Sequence, residues 1–206
     1  GFRFRNITDN NDTIPTQISG KPSNTGFNAK TIRLQAIRTD TSNLACVAAF
    51  PAAATRNVEM GAECNNPGTC AAQLVSITNN AIATAIPTSA DNGGVGAAAY
   101  YATGGGVPLL FNANSEADIV ITYPDAGQIS LHARFDLDPA IAGFEMMGSS
   151  IPHVVRPFGL RISGVTTSAT PDPTQPVFTK AGQNFNTTVT AVVWKSGDDT
   201  NFDGVP

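Results

Sequence analysis

The chain has 206 residues, enough for one large domain or for a domain and part of another, and only 14% of them are charged. Twelve Lys and Arg against sixteen Asp and Glu give a net charge of −4, with no basic cluster, which excludes a nucleic-acid footprint. No apolar run approaches the ~20 residues of a membrane helix, and a surface of Ala, Thr, Asn and Gly fits an exported protein. The chain opens on Gly1-Phe2-Arg3-Phe4 without an initiator Met and reads as an excised segment, so the lack of a signal peptide carries no weight.

Helical periodicity is hard to find. The one Ala-rich window, "GVGAAAYYATGGG", is cut by glycines at both ends and favours loops. Period-two alternation recurs instead, the mark of half-buried strands. In the first third, Ile32, Leu34 and Ala36 alternate. "CNNPGTC" follows, where a Pro-Gly turn folds the chain back and brings two sulfurs together; a Cys64–Cys70 disulfide is expected, with Cys46 free. In "ADIVITY", Ile119, Ile121 and Tyr123 share one face, with Asp118 and Thr122 opposite. In "GQISLHARF", Ile129, Leu131, Ala133 and Phe135 point one way, and Gln128, Ser130, His132 and Arg134 the other. "YPDAG" joins these two antiparallel strands. It is similar to the E–F corner of an immunoglobulin-like sandwich, with Ile129 and Leu131 where the corner's aromatic residue and Cys would stand.

The C-terminal segment repeats the N-terminal one at an offset of 158 (159 − 1). "GFRF" at Gly1–Phe4 returns as "GLRI" at Gly159–Ile162, "PTQ" at Pro15–Gln17 returns at Pro173–Gln175, and Asp40 and Asn43 match Asp198 and Asn201. The alternation slips by one residue, falling on Val189, Ala191 and Val193 in the second copy, as a β-bulge would allow. The fold expected is therefore all-β: an immunoglobulin-like β-sandwich over residues 1–152, and over 153–206 the N-terminal part of a second, similar repeat. "HVVRPF" carries the last strand of one into the first strand of the next. His153 reads as a linker residue, and an incomplete second repeat, with unpaired strand edges, is expected to pack on its neighbour or on another chain.

Few residues suggest chemistry. Ser130 and His132 share one strand face, and Asp118 lies on the preceding strand, but no nucleophile elbow or pocket signature accompanies them. They read as exposed strand polars, and no catalytic residue is expected. "ATGGGV" and "DNGGVG" lack the Gly-Lys-Ser/Thr of a phosphate loop. The sharpest local motif is "DTNFDG", in which Asp199, Asn201 and Asp203 before Gly204 match the start of a calcium loop, though the later glutamate is absent; a polar hairpin loop accounts for the same residues. Calcium is thus the one cofactor to consider, and with Tyr100 and Tyr101 in a Gly-rich loop it gives an alternative function, a calcium-stabilised carbohydrate-binding module; exposed tyrosines there would stack on sugars, though tyrosines are more commonly buried in a core. Sequons at Asn6, Asn11 and Asn186 read as surface loops.

Cys46, Cys64, Pro67 and Cys70, then Tyr123 to Gly127, then His153 to Gly159 follow the motif order of a known family. The chain resembles the repeated domains of MshQ-type proteins, encoded with the mannose-sensitive haemagglutinin (type IV) pili of Gram-negative bacteria. That resemblance implies export, a cell-surface or pilus-associated location on the outer-membrane side, and no catalytic residues. It names no ligand. The tandem repeat with its short, Pro-stiffened junction and uncharged loops points to a non-catalytic structural and adhesive module, with pilus components, surface glycans or surface proteins as partners, and the incomplete second domain allows homo-association.

Overall fold

The computed structural model describes residues 1–26, 28–50, 52–70, 73–90, 93–96, 99–101, 105–141, 143–167 and 182–195. The chain forms strands β1 (Phe2–Asn6), β2 (Gln17–Ile18), β3 (Ile32–Thr39), β4 (Cys46–Ala48), β5 (Ala54–Asn66), β6 (Val75–Asn79), β7 (Ile82–Ile86) and β8 (Thr88–Ser89). A 3-10 turn at Gly94–Gly96 follows, then β9 (Val107–Phe111), β10 (Glu116–Thr122), β11 (Gly127–Asp136), β12 (Glu145–Ser149), β13 (His153–Arg156), β14 (Gly159–Thr167) and β15 (Phe185–Val192). The all-β expectation holds.

Two sheets face each other. One runs β1-β3-β10-β6-β7, with β4 also on β3; the other runs β2-β13-β11-β5-β8, with β12 also on β11 and β9 on β5. Alternation fills the space between them. Phe4, Leu34, Ile77 and Ile119 come from the first sheet and Met60, Leu109, Phe111 and Leu131 from the second, all buried in one core. Each such side chain contributes about 1.5–3 kcal/mol on leaving water.

Tyr123–Ala126 joins β10 to β11, and those strands lie in different sheets. The segment is therefore the E–F corner expected of an immunoglobulin-like sandwich. Cys64 and Cys70 are bridged, with Cα atoms 5.6 Å apart, and Cys46 is free and exposed. The Asn66–Pro67 peptide bond between the bridged cysteines is cis.

Strand β13 pairs antiparallel with β11 and parallel with β2, so it closes the first sandwich. His153 is accordingly no linker residue: it sits opposite Ile129, only 2% exposed. Asn6 is also buried, its amide donating to Asp9 and to the Thr13 carbonyl, so its sequon is not in a surface loop.

The β14–β15 pair repeats the β1–β3 pair with a changed register. Phe4 pairs with Leu34, and Ile162 with Val189; the first strand keeps the offset of 158 (162 − 4), but the second moves by 155 (189 − 34). The difference of three is odd, and an odd shift exchanges the two faces of a strand. That, rather than a bulge, moves the alternation onto Val189 and Ala191; the irregularity in β14 lies further on, between Ser163 and Thr166. One face of this pair, carrying Leu160, Ile162 and Val189, remains exposed among the described residues.

Candidate functional site

Two places concentrate specific interactions: the junction between the sandwich and the β14–β15 pair, and the outer face of β11.

The junction is a clamp built on Ser19–Lys21. Ser19 donates its N–H to the Arg156 carbonyl at the end of β13, and its own carbonyl accepts the Trp194 N–H, both at 2.9 Å. Gly20 donates to the Tyr123 carbonyl of the E–F corner at 2.7 Å. Its φ of +77° is one that glycine adopts freely, and a Cβ there would stand 2.5 Å from the Trp194 carbonyl oxygen. The Lys21 ammonium lies 5.2 Å from the Trp194 ring centroid, a cation–π distance. The Phe158 N–H donates to the Val192 carbonyl. Beside the clamp is a cleft of about 370 Å³ lined by Ser19, Asp125, Pro157 and Val192.

On β11 the alternation is right but its consequence is not. Ser130 and His132 point outward, yet they are 4% and 2% exposed. The segment after β7 lies across this face. The Pro87 carbonyl accepts the Ala62 N–H, β8 pairs with β5, and the 3-10 turn packs on β11 and β12. Gly61 permits the approach, since a Cβ there would meet the Ala99 carbonyl oxygen at 1.8 Å. Buried polar groups need partners, and here they form a chain across three strands. The Ser130 hydroxyl donates to Asn65 Oδ1 at 2.8 Å, and Asn65 Nδ2 approaches Glu63 Oε1 at 3.5 Å. Glu63 Oε2 is 2.9 Å from His132 Nε2, and His132 Nδ1 is 2.8 Å from the Ser149 hydroxyl. Burial lowers the His132 pKa below its ordinary value, and the Glu63 carboxylate opposes that only in part.

The structure therefore does not bring Ser130, His132 and Asp118 together. Asp118 belongs to the other sheet, where Arg33 Nε holds its Oδ1 at 2.6 Å. The partners of His132 are Glu63 and Ser149, which sequence reasoning missed; the available signal was a glutamate next to Cys64 inside the long strand "VEMGAEC". Tyr100 does not offer the open ring that sugar stacking requires. Its hydroxyl donates to the Val95 carbonyl, and the Arg134 guanidinium lies 4.7 Å from its ring centroid. Tyr101 packs against the core. Asp199, Asn201 and Asp203 lie outside the described residues. Among the described residues no group of three or more His, Cys, Asp or Glu is placed to share a metal ion.

A family model described as "Domain of unknown function (DUF6701), first Ig-like domain" matches residues 1–149. The chain belongs to the DUF6701 family. A second model, "DUF6701, second domain", matches residues 156–206. No curated protein and no solved structure matches the chain.

Proposed function

We propose that this DUF6701 chain is a non-catalytic, surface-exposed structural and adhesive module of an MshQ-like, pilus-associated protein. The observation that carries the reading is the Ser19–Lys21 clamp. It ties the last strand of the sandwich, the E–F corner and Trp194 of the following unit through one short segment. Pro157 fixes a backbone φ at the crossing, and no Gly/Ser linker intervenes. A joint of this kind passes orientation from one unit to the next, as a stalk or presenting arm requires. The motif resemblance around "CNNPGTC", "YPDAGQ" and "HVVRPFG" supports export and a pilus setting. The exposed apolar face of β14 and β15 supports packing against a neighbouring unit or a second copy.

The test is deletion of the gene in a piliated host followed by a surface-attachment assay, with small-angle scattering of the purified chain. Reduced attachment and a scattering profile of fixed shape are expected. Unchanged attachment together with a freely jointed profile would reject both parts of the reading.

A further inference from the structure

We propose that Ser149 is a base-activated nucleophile that accepts an acyl group from an activated ester or thioester. The inference stands on the outer face of β11, concerns one stoichiometric acylation without turnover and so leaves the non-catalytic reading intact, and does not depend on the pilus reading.

Strand pairing makes the contact. His132 is opposite Ser149, and the neighbouring pair is marked by the Ser150 N–H donating to the Leu131 carbonyl. His132 and Ser149 therefore occupy a non-hydrogen-bonded pair, the position at which cross-strand side chains come closest. Glu63, 3% exposed, sets the tautomer. Its carboxylate accepts a hydrogen bond from His132 Nε2–H, which leaves Nδ1 as an acceptor for the Ser149 hydroxyl. Glu63 and His132 are covered by the segment after β7, whereas Ser149 is exposed on β12. The basic nitrogen is thus aimed from inside the protein at a hydroxyl that small molecules can reach. Nucleophile, base and orienting carboxylate follow one another at hydrogen-bond distance, the arrangement that activates serine.

The step is a single transfer onto the side chain. Ser149 Oγ attacks the acyl carbon as its proton passes to His132 Nδ1, and Glu63 holds the resulting imidazolium. The bond from carbon to the leaving oxygen or sulfur breaks, and the leaving group takes the proton from Nδ1. The products are an acyl ester on Ser149 and a free alcohol or thiol.

The probe is p-nitrophenyl acetate, with intact-mass measurement and peptide mapping. One acetyl group on Ser149 is expected, absent in Ser149→Ala and about a hundredfold slower to form in His132→Gln. Because His132 is buried, a second variant keeps the test independent of folding. In Ser149→Cys the introduced thiol is expected to alkylate with iodoacetamide well below the pH at which Cys46, exposed and free, reacts in the same molecule. Acetylation of Ser149 no faster than that of other serines, or one shared alkylation profile for the two thiols, would overturn the proposal.

Discussion

The Trp194 N–H donates to the Ser19 carbonyl at 2.9 Å, and this bond ties the segment after β15, inside the second family-model match, to the loop after β2. Trp194 is the chain's one tryptophan, so its fluorescence reports on the contact directly. Gly20→Ala combines a disfavoured φ with a Cβ aimed at the Trp194 carbonyl. We expect this substitution to shift tryptophan emission to the red and to broaden the scattering profile. Trp194→Ala should broaden the profile as well, while the thermal transition of the sandwich stays within a few degrees of the parent. An unchanged emission maximum and an unchanged profile in Gly20→Ala would show that the clamp does not hold the two units.

Gly61 tests the covering of the β11 outer face. The Ala99 carbonyl lies where a Cβ would go, so Gly61→Ala must displace the backbone at 99–101 or distort β5. Overpacking of this kind costs about 1–3 kcal/mol. Hydrogen exchange should become faster at 94–96, at 99–101 and at His132, and limited proteolysis should cut near 99–101 first. Unaltered exchange at those positions would mean that the segment does not depend on this contact.

The Cys64–Cys70 bridge closes a short loop beside the E–F corner, with Tyr123, Asp125 and Gly127 lining the same cleft. In the loop-entropy picture a ring of this size contributes about 2 kcal/mol, or roughly 4–8 °C in Tm for a domain near this length. Reducing agent should lower the Tm of the parent by that amount and leave a Cys64→Ala/Cys70→Ala variant unmoved. Equal sensitivity of both proteins to reductant would assign the effect elsewhere.

Strand alternation was legible because a sandwich interior requires it: Ile129, Leu131 and Ala133 face the core as their spacing implies. The corner at Tyr123 and the disulfide were legible because turn residues act over a few positions. What sequence could not supply was the second cover on β11. The segment after β7 has no periodicity of its own, and it buries Ser130 and His132 through contacts distant along the chain. The same distance hid the Glu63–His132 pair, whose members are 69 positions apart. His153 was misplaced for a related reason. Its flanking prolines suggest a linker, but ladder pairing with β11 draws it into the core. Register was the remaining gap, since the three-residue shift between β3 and β15 is invisible until strands are paired.

His153 carries a pH prediction. Burial lowers its pKa from 6.5 to about 4, and the Ile151 carbonyl is near enough to oppose this weakly without hydrogen-bonding geometry. Neither ring nitrogen has a hydrogen-bond partner among the described residues, so burial outweighs the weak pull of that carbonyl and the neutral form is favoured. The unfolded chain takes up this proton near pH 6.5 and the folded chain only near pH 4. Between those values the unfolded state binds more protons, and stability falls as pH falls. The full contribution is on the order of 3 kcal/mol by pH 4, and it is constant above the ordinary value. His132, shifted in the same direction, adds to the slope. In His153→Leu, which removes two unpaired polar atoms from an apolar site, we expect equal or greater stability at pH 7.5. Its loss of stability between pH 6.5 and pH 4 should be distinctly smaller than in the parent. Denaturant melts at half-unit pH steps measure both quantities, and parallel curves for the two proteins would show that His153 is not buried in the neutral form.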